Sequence, residues 1–260
     1  MLELCSERAV EVIIPEREAK KHSLGKTGLT ATVVSSLEES SVDMCIALGG
    51  DGTILRAFRR LGGSMTPVLG INFGTIGFLA ALGSSAIPEK LESVLVGEYS
   101  VVELCMLDLE LENARYKAVN DVVLQKAEGT SVAHLGYEID GIEMDAFKCD
   151  GLVVSTPAGS TAYNLSNGGP MASLGLDVMI LSAIAPHSLR SRAMILGGEE
   201  KLNISNRFGV AADAYVDGQK IGSLKESETA SVTISKNKAL LVRTEETNFF
   251  EALRQKFIKP

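Results

Sequence analysis

A strand-like run that turns through glycines into a helix-like run limits the fold more than any other feature of this sequence. The apolar run Asp43–Leu48 leads into the turn GGDGT, which begins at Gly49. The stretch that follows repeats its apolar residues at helical spacing, and one face would carry Ile54, Leu55, Phe58 and Leu61. Such a strand–turn–helix unit is typical of parallel sheets whose strands are joined by helices. The sequence therefore predicts an α/β domain.

Two parts of the chain differ in pattern. Up to residue 98, strand-like and helix-like runs alternate; PVLGINF is another strand, and PEKLESVLVGEY is a helix that starts at Pro88. From residue 99, closely spaced strand-like runs are joined by Asp140-Gly141 and Asp217-Gly218, which favour two-residue hairpin turns. We therefore predict a parallel-sheet α/β domain over residues 1–98 and an antiparallel β-sandwich over residues 99–241.

The C-terminal stretch NFFEALRQKF is predicted to be a helix. Its apolar residues, which we expect to share one face, are Phe249, Phe250, Leu253 and Phe257. A terminal helix with so much apolar surface is expected to dock against another part of the protein.

Composition narrows the class of protein. The formal net charge is −8, which argues against a broad nucleic-acid surface, because such a surface needs clustered Lys and Arg. The sequence has no apolar run of about eighteen residues and no secretory signal pattern, so we expect a cytoplasmic protein without a membrane span. The cysteines and histidines lack metal-ligand spacing, and we assign no side chain as a metal ligand.

The turn GGDGT has the properties of a phosphate-binding loop. A strand that ends in glycines before a helix directs unpaired backbone N–H groups and the positive end of the helix at one point. Gly49, Gly50, Gly52 and Thr53 are the candidate phosphate ligands, since glycines let a ligand approach the backbone closely. The alternative is a plain strand–helix turn capped by Asp51. A second glycine turn, INFGTIGFLA, follows the next strand, and two such turns would flank one crevice of a parallel sheet.

Asp51 is unusual in such a turn because a carboxylate repels phosphate. It is tolerated there if it holds a metal ion or accepts a proton from an attacking hydroxyl group. Both roles belong to phosphoryl transfer, so the motif points to a kinase with Asp51 as its catalytic residue.

Two further stretches have residue types that suit a nucleoside. DGLVVSTPAGSTAYNLSNGGP, which begins at Asp150, is rich in hydroxyl groups and offers Tyr163 for stacking, but it is also compatible with a Gly/Ser-rich loop. AVNDVVLQ places Asn120 beside Asp121, a pair that either binds vicinal ribose hydroxyl groups or caps a turn. The residue types alone leave both alternatives open.

Taken together, these motifs resemble those of the NAD kinases. GGDGT, NFGTIGF, ND, the long stretch around STPAGSTAY, IAPHSLRSR and NFFEALRQKF occur in the order seen in that family, from Leu48 to the C-terminus. STPAGSTAY is specific, whereas GGDGT is shared with the diacylglycerol kinase, sphingosine kinase and phosphofructokinase families. The resemblance implies an α/β domain for catalysis and the phosphoryl donor, completed by a returning C-terminal helix in residues 242–260, and a β-sandwich that binds the dinucleotide.

The resemblance also implies a reaction: Mg²⁺-dependent transfer of a phosphoryl group from ATP or polyphosphate to the 2′-hydroxyl of the adenosine ribose of NAD, giving NADP. The cofactor implied by the resemblance is Mg²⁺ or, alternatively, another divalent cation. Asp51 would activate the hydroxyl group. In the family, the residue matched by Asp150 reaches a nucleotide held mainly by a neighbouring subunit, which implies a homodimer or homotetramer. The residues implied in NAD binding are Asp51, Gly52, Leu55, Phe78, Asn120, Asp121, Lys148, Asp150, Thr161, Ala162, Tyr163 and Ser166.

Three departures from the family pattern concern affinity and the choice of donor. Asp121 stands where glutamate is more usual, and Ala158 occupies a loop position that often carries a hydroxyl or other polar side chain. Lys148 lacks the bidentate fork of an arginine. Two rival functions remain: a lipid or sphingoid kinase, which leaves STPAGSTAY unexplained, and a non-catalytic NAD(P)-binding regulator, which leaves Asp51 unexplained.

Overall fold

The computed structural model describes residues 2–22, 31–35, 41–74, 77–83, 87–129, 131–244 and 249–258. The chain forms two compact units. The first comprises Met1–Val101 together with Leu240–Pro260, and the second comprises Val102–Ala239. The C-terminal segment therefore belongs to the first unit, although a whole second unit separates the two in sequence.

The first unit combines helices with a mostly parallel sheet. Its helices are α1 (Leu2–Glu7), α2 (Glu16–Lys21), α3 (Asp51–Arg60), α4 (Ile87–Leu95) and α6 (Phe249–Leu253), the last followed by a π-helical turn (Arg254–Ile258). Its strands are β1 (Ile13–Pro15), β2 (Thr32–Val34), β3 (Cys45–Leu48), β4 (Val68–Asn72), β5 (Leu82–Gly83), β6 (Ser100–Leu104) and β19 (Ala239–Arg243), of which β6 and β19 continue into the second unit.

The main sheet of the first unit has the strand order β3-β4-β19-β6, with β5 also paired to β4. β3, β5 and β19 all run parallel to β4, and Val68 of β4 lies opposite both Cys45 and Leu241. Every residue of β4 is buried, as expected for a central parallel strand covered on both faces. Because parallel strands end at the same edge, the glycine turns that follow β3 and β4 lie side by side. The prediction of a parallel α/β domain is confirmed.

The second unit is an antiparallel sandwich of two six-stranded sheets. Its strands are β7 (Leu107–Leu111), β8 (Ala114–Ala118), β9 (Asp121–Lys126), β10 (Ala133–Ile139), β11 (Ile142–Cys149), β12 (Gly151–Ser155), β13 (Met179–Ile184), β14 (Met194–Leu196), β15 (Leu202–Phe208), β16 (Ala212–Val216), β17 (Gln219–Leu224) and β18 (Thr229–Ile234), with a 3-10 turn (Gly159–Thr161) and the short helix α5 (Tyr163–Ser166) after β12.

The strand orders of the two sheets are β11-β10-β15-β18-β7-β8 and β14-β13-β12-β9-β16-β17. The core lies between them, where Leu109 and Leu135 from one sheet and Leu124, Leu152 and Met179 from the other are fully buried. Alternate residues of most strands face this core, which is the pattern of packed sheets with one solvated face each. The predicted β-sandwich is confirmed.

The hairpin turns follow the local sequence. Asp140-Gly141 and Asp217-Gly218 both have positive φ at the two central residues, as a type I′ turn requires, so both predicted hairpins are confirmed. A third hairpin, between β7 and β8, turns at Glu112-Asn113 with φ of 50° and 66°. The sequence analysis missed it because Glu-Asn is a weaker turn signal than Asp-Gly.

In the C-terminal helix, one of the aromatic side chains that were predicted to pack against the protein is exposed instead. Phe249 is buried and contacts Phe78, whereas Phe250 is 62% exposed. The expectation that both share one face was wrong because successive helical residues are about 100° apart around the axis. Within the described ranges, no helix is both long and apolar enough to cross a membrane.

Gly151 of β12 provides a test of the sandwich packing. A Cβ atom at this position would collide with the carbonyl oxygen of Leu124 and lie 2.9 Å from the Cα of Gln125. We expect Gly151→Ala to lower the free energy of unfolding by roughly 2 to 4 kcal/mol, because the neighbouring backbone cannot move aside. Urea unfolding measures the change. Gly175→Ala is the control, since a Cβ there meets no atom within 4 Å, and equal stabilities of the two variants would contradict this view of the sheet.

Candidate active site

Asp51 is the first residue of α3, directly after the turn that ends β3. Gly50 precedes it in an extended conformation and supplies no side-chain cap to the helix. Gly49 has a φ of 148°, and a Cβ there would collide with the side chain of Thr53. The amide of Gly49 donates to the carbonyl oxygen of Ile71 in β4 at 2.8 Å, which fixes the turn to the neighbouring strand. The sequence GGDGT thus builds a tight strand-to-helix connection with a carboxyl group at its tip.

The carboxylate of Asp51 is held by the second glycine turn. The backbone amides of Phe78 and Leu79 donate to its two oxygens at 2.8 and 3.1 Å. Gly77 passes so close that a Cβ on it would overlap the carboxyl group of Asp51. These contacts fix the orientation of the carboxylate, and they explain why the chain needs a glycine at position 77.

The start of α3 leaves backbone donors for a ligand. The amides of Thr53 and Ile54 donate to the carbonyl oxygen of Gly50, at 2.8 and 3.3 Å. The amides of Gly50, Asp51 and Gly52 donate to no acceptor among the residues that the structure describes. Gly50 and Gly52 are exposed, and their surfaces carry no obstructing side chain. Free amides at the positive end of a ten-residue helix form a favourable site for phosphate oxygens.

Phe78 and Leu55, two of the residues implied in NAD binding, differ in their surroundings. Leu55 is half-buried on the second turn of α3. The ring of Phe78 is buried against Phe249 and Phe257, with centroid distances of 6.1 and 6.0 Å, and Lys256 Nζ lies 4.1 Å from its centroid. The C-terminal segment therefore covers the ring, and Phe78 reaches the Asp51 turn through its backbone amide.

In the second unit, Asp217 organises the backbone around Asn120 and Asp121. Its carboxylate accepts hydrogen bonds from the amides of Val119, Asn120 and Asp121 at 3.1, 2.7 and 3.2 Å. In return, the amide of Asp217 donates to the carbonyl oxygen of Asp121 at 3.0 Å. Asp217 lies in the β16–β17 hairpin turn, where the sequence analysis recognised only a turn former. The missed role depends on a contact between segments almost a hundred residues apart.

The loop after β12 packs onto the same backbone. Thr156 donates to the carbonyl oxygen of Asn120 through its amide at 2.8 Å, and to that of Val119 through its hydroxyl group at 2.6 Å. Gly159 lies so close to Asn120 that a Cβ would collide with its carbonyl group. The ND and STPAGSTAY stretches, treated separately in the sequence, therefore meet at one place in the second unit. Asn120 Oδ1 is buried there without a partner among the described residues.

Charged and aromatic groups surround this meeting point. Asp121 is only 6% exposed, and burial, reinforced by the nearby carboxylate of Asp217, raises the pKa of Asp121 to about 7. Burial also raises the pKa of Tyr163, with smaller contributions from the carboxylates of Asp150 and Asp121. Asp150 forms an ion pair with Lys126, with Nζ 3.0 Å from Oδ1. The structure thus brings together three predicted residues, Asp121, Asp150 and Tyr163.

Tyr163, the first residue of α5, packs on a small hydrophobic cluster of the second sheet. It is half-buried against Val123, Val153 and Ile184. Its hydroxyl group lies 3.4 Å from Gln125 Oε1. Apolar side chains thus support the residue, while part of it stays accessible.

The remaining predicted residues are less constrained. Thr161 and Ala162 are half-buried just before α5, and Ser166 is exposed at the end of that helix. Lys148 is exposed on β11, and its ammonium group contacts no acceptor in the part of the chain that the structure describes. Its side chain therefore remains available to a ligand, but the fold does not hold it in place.

Side chains that could hold a divalent cation are not gathered at one place in the part of the chain that the structure describes. Among the described residues, no group of three or more His, Cys, Asp and Glu side chains is arranged to hold a metal ion. A cation that takes part in the reaction would have to bring most of its ligands with it, as a nucleotide-bound ion does.

Comparisons with known proteins agree with these observations. Residues 3–99 match the family model described as the ATP-NAD kinase N-terminal domain, and residues 119–244 match the ATP-NAD kinase C-terminal domain. The NAD kinase of Moorella thermoacetica is 35% identical over 254 residues, covering 96% of this chain and 80% of that protein. The NAD kinase of Natranaerobius thermophilus is 32% identical over 262 residues, covering 98% and 90%.

Solved structures show the same fold. A yeast NADH kinase in complex with NADH superposes with a TM-score of 0.88 at 23% sequence identity, covering 100% of this chain and 84% of the other. An NAD kinase from Archaeoglobus fulgidus in complex with ATP gives a TM-score of 0.76 at 24% identity, covering 94% and 97%. The α/β unit and the sandwich described above are thus an architecture found in solved kinases.

The raised pKa of Asp121 predicts how stability depends on pH. Between about pH 4 and pH 7 the folded protein keeps a proton on Asp121 that the unfolded chain has lost, so this group destabilises the fold increasingly as the pH rises to 7 and by a constant amount above it. We expect Asp121→Asn to remove this dependence, with its stability relative to wild type rising by roughly 2 kcal/mol from pH 5 to pH 8.

Urea unfolding at pH 5, 6, 7 and 8 measures that difference. Asp145→Asn is the control because Asp145 is exposed on β11, and its effect should stay the same over the range. A difference between wild type and Asp121→Asn that does not change with pH would contradict the prediction.

Proposed function

The chain belongs to the ATP-NAD kinase family, and we propose that it transfers the terminal phosphoryl group of ATP to the 2′-hydroxyl of the adenosine ribose of NAD, giving NADP and ADP. The observation that carries this proposal is the fixed carboxylate of Asp51 beside free backbone amides at the start of α3. A base and a phosphate site side by side are what phosphoryl transfer to a hydroxyl group requires.

In this proposal Asp51 is the general base. Its two hydrogen bonds from Phe78 and Leu79 use only part of the acceptor capacity of a carboxylate, so an oxygen lone pair remains for the 2′-hydroxyl group. Asp51 takes the hydroxyl proton while the ribose oxygen forms a bond to the γ-phosphorus. The bond between that phosphorus and the bridging oxygen breaks, and its electron pair leaves with ADP.

The GGDGT turn is proposed to hold the phosphates. Gly49, Gly50 and Gly52 bring the backbone close to the ligand, and Thr53 adds a hydroxyl group within the same turn. Fixed amide dipoles at this point stabilise the negative charge that builds up on the phosphoryl oxygens, without reorganisation during the reaction. An NAD kinase of the same fold binds ATP, which supports ATP as the donor; polyphosphate is the alternative donor.

The second unit is proposed to bind the dinucleotide. Asn120 and Asp121 suit the vicinal hydroxyl groups of a ribose, because the Asn120 Oδ1 atom lacks a partner and Asp121 accepts two hydrogen bonds when it is ionised. Tyr163 would stack on a base. The remaining residues proposed for NAD binding are Thr161, Ala162, Ser166, Lys148 and Asp150 in this unit and Asp51, Gly52, Leu55 and Phe78 in the first, where Phe78 acts through its backbone.

Two further parts of the proposal concern the cation and the assembly. Mg²⁺ would enter as the complex with ATP, bound by phosphate oxygens, and the protein residues need supply no closed set of ligands. We also propose a homodimer or homotetramer in which Asp150 faces a nucleotide held by the neighbouring subunit. Exposed Ile142 and Met144 on β11, an edge strand, support an assembly because such edges pair readily with another chain.

Conversion of NAD to NADP tests the proposed function directly. Purified protein is incubated with NAD, Mg²⁺ and ATP, with polyphosphate in a parallel tube, and the products are separated by chromatography. Asp51→Asn keeps the shape and loses the base, so we expect turnover about 10²- to 10⁴-fold lower while NAD still binds. If the wild-type protein makes no NADP, the proposed NAD kinase activity is refuted. If Asp51→Asn keeps full turnover, the proposed role of Asp51 as general base is refuted.

The two glycines of the second turn give a matched pair of variants. Gly77→Ala forces the Asp51 carboxylate out of its position, so we expect kcat to fall at least about 100-fold, which is the contribution of one well-placed base. At Gly74 a Cβ has only Asn72 Oδ1 as a neighbour, at 3.8 Å, so Gly74→Ala should retain most activity. Steady-state kinetics and thermal unfolding are measured for both, and equal activities would show that the position of Asp51 is not critical.

A further inference from the structure

Arg243 is a buried arginine that forms no ion pair with any described residue. It ends β19 and is only 7% exposed. Its carbonyl oxygen accepts a hydrogen bond from Ser100 Oγ at 3.4 Å, but its guanidinium group makes no hydrogen bond or salt bridge to any residue in the described ranges. A buried charge without a partner is costly, and an arginine does not escape that cost by losing its proton.

The surroundings of Arg243 connect it with the Asp51 turn. The next residue, Thr244, donates through Oγ1 to the carbonyl oxygen of Ala81 at 3.5 Å. Ala81 closes the short segment whose amides at Phe78 and Leu79 hold the carboxylate of Asp51. This segment therefore contacts the end of β19 on one side and Asp51 on the other.

The electrostatics agree with this placement. Burial lowers the pKa of Arg243, and the carboxylate of Asp51 acts in the opposite direction. No salt bridge joins the two side chains, although they interact electrostatically. The first unit thus holds one negative charge that is fixed by backbone hydrogen bonds, at Asp51, and one buried positive charge, at Arg243, that lacks a direct partner among the described residues.

We propose that Arg243 binds a phosphate group of the phosphoryl donor beside Asp51, an inference that rests on the proposed kinase function. The guanidinium group supplies the bidentate donor geometry that phosphate oxygens favour. It also offsets the repulsion between the donor and Asp51, so that a carboxylate is tolerated within a phosphate-binding turn. The donor in turn completes the charge balance of the buried arginine.

Calorimetric titration with ATP in the presence of Mg²⁺ tests this proposal without requiring turnover. We expect Arg243→Gln to weaken ATP binding about 10- to 100-fold, as the loss of a charge-assisted hydrogen bond predicts. NAD affinity, titrated in parallel, should stay within about twofold, because a structural defect would affect both ligands. Arg60→Gln is the control, since Arg60 lies at the opposite end of α3, 3.4 Å from Glu18, and it should bind ATP like wild type.

Coupling to Asp51 sharpens the test. Asp51→Asn removes the repulsion and should bind ATP more tightly than wild type, and the effect of Arg243→Gln should be smaller in that background. If Arg243→Gln does not fold, Arg243→Lys decides, since it keeps the charge but loses the fork; binding at least about fivefold weaker supports the proposal. Wild-type ATP affinity in either folded variant, or a loss confined to NAD, overturns it.

These measurements separate the inference from the proposed function. If wild-type protein binds ATP but makes no NADP, the kinase proposal fails, whereas the role of Arg243 is still decided by the ATP titrations. If wild type and Arg243→Gln make NADP with equal KM for ATP and equal kcat, the kinase stands and the role of Arg243 is refuted.

Discussion

Two hydrogen bonds, from the amides of Phe78 and Leu79 to the carboxylate of Asp51, fix the position of this carboxylate. They join the turn after β3 to the turn after β4. The requirement for glycine at position 77 follows from the same contact. The two amides fix the orientation of the carboxylate and leave part of its acceptor capacity unused.

The second unit also contains a carboxylate that accepts hydrogen bonds from backbone amides. The carboxylate of Asp217 accepts hydrogen bonds from three successive amides and thereby fixes the backbone conformation at Asn120 and Asp121. In both units an acidic side chain accepts hydrogen bonds from backbone amides. The consequence differs, however: Asp51 remains partly exposed, whereas burial, reinforced by the charge of Asp217, keeps Asp121 partly protonated near neutral pH.

Local patterns in the sequence were enough to predict much of the fold. The apolar run before GGDGT predicted β3 and α3, and the Asp-Gly pairs predicted two hairpins, because each depends on residues close in the chain. The contacts of Asp217 and Arg243 were not predictable in this way, since each depends on segments brought together by the sheets. Burial of the Phe78 ring under Phe249 and Phe257 is another such case. Family resemblance identified candidate site residues but not the contacts that support them.

The position of β19 in the first unit has a consequence for biosynthesis. This strand lies between β4 and β6, yet its residues follow the entire second unit in the chain. The whole sandwich is therefore synthesised before β19 can join the first sheet. Until then, the α/β unit lacks the strand between β4 and β6, and the Phe78 ring lacks its contacts with Phe249 and Phe257. The strand order thus delays completion of the first sheet, and the packing of Phe249 and Phe257 on Phe78, until the whole sandwich has been synthesised.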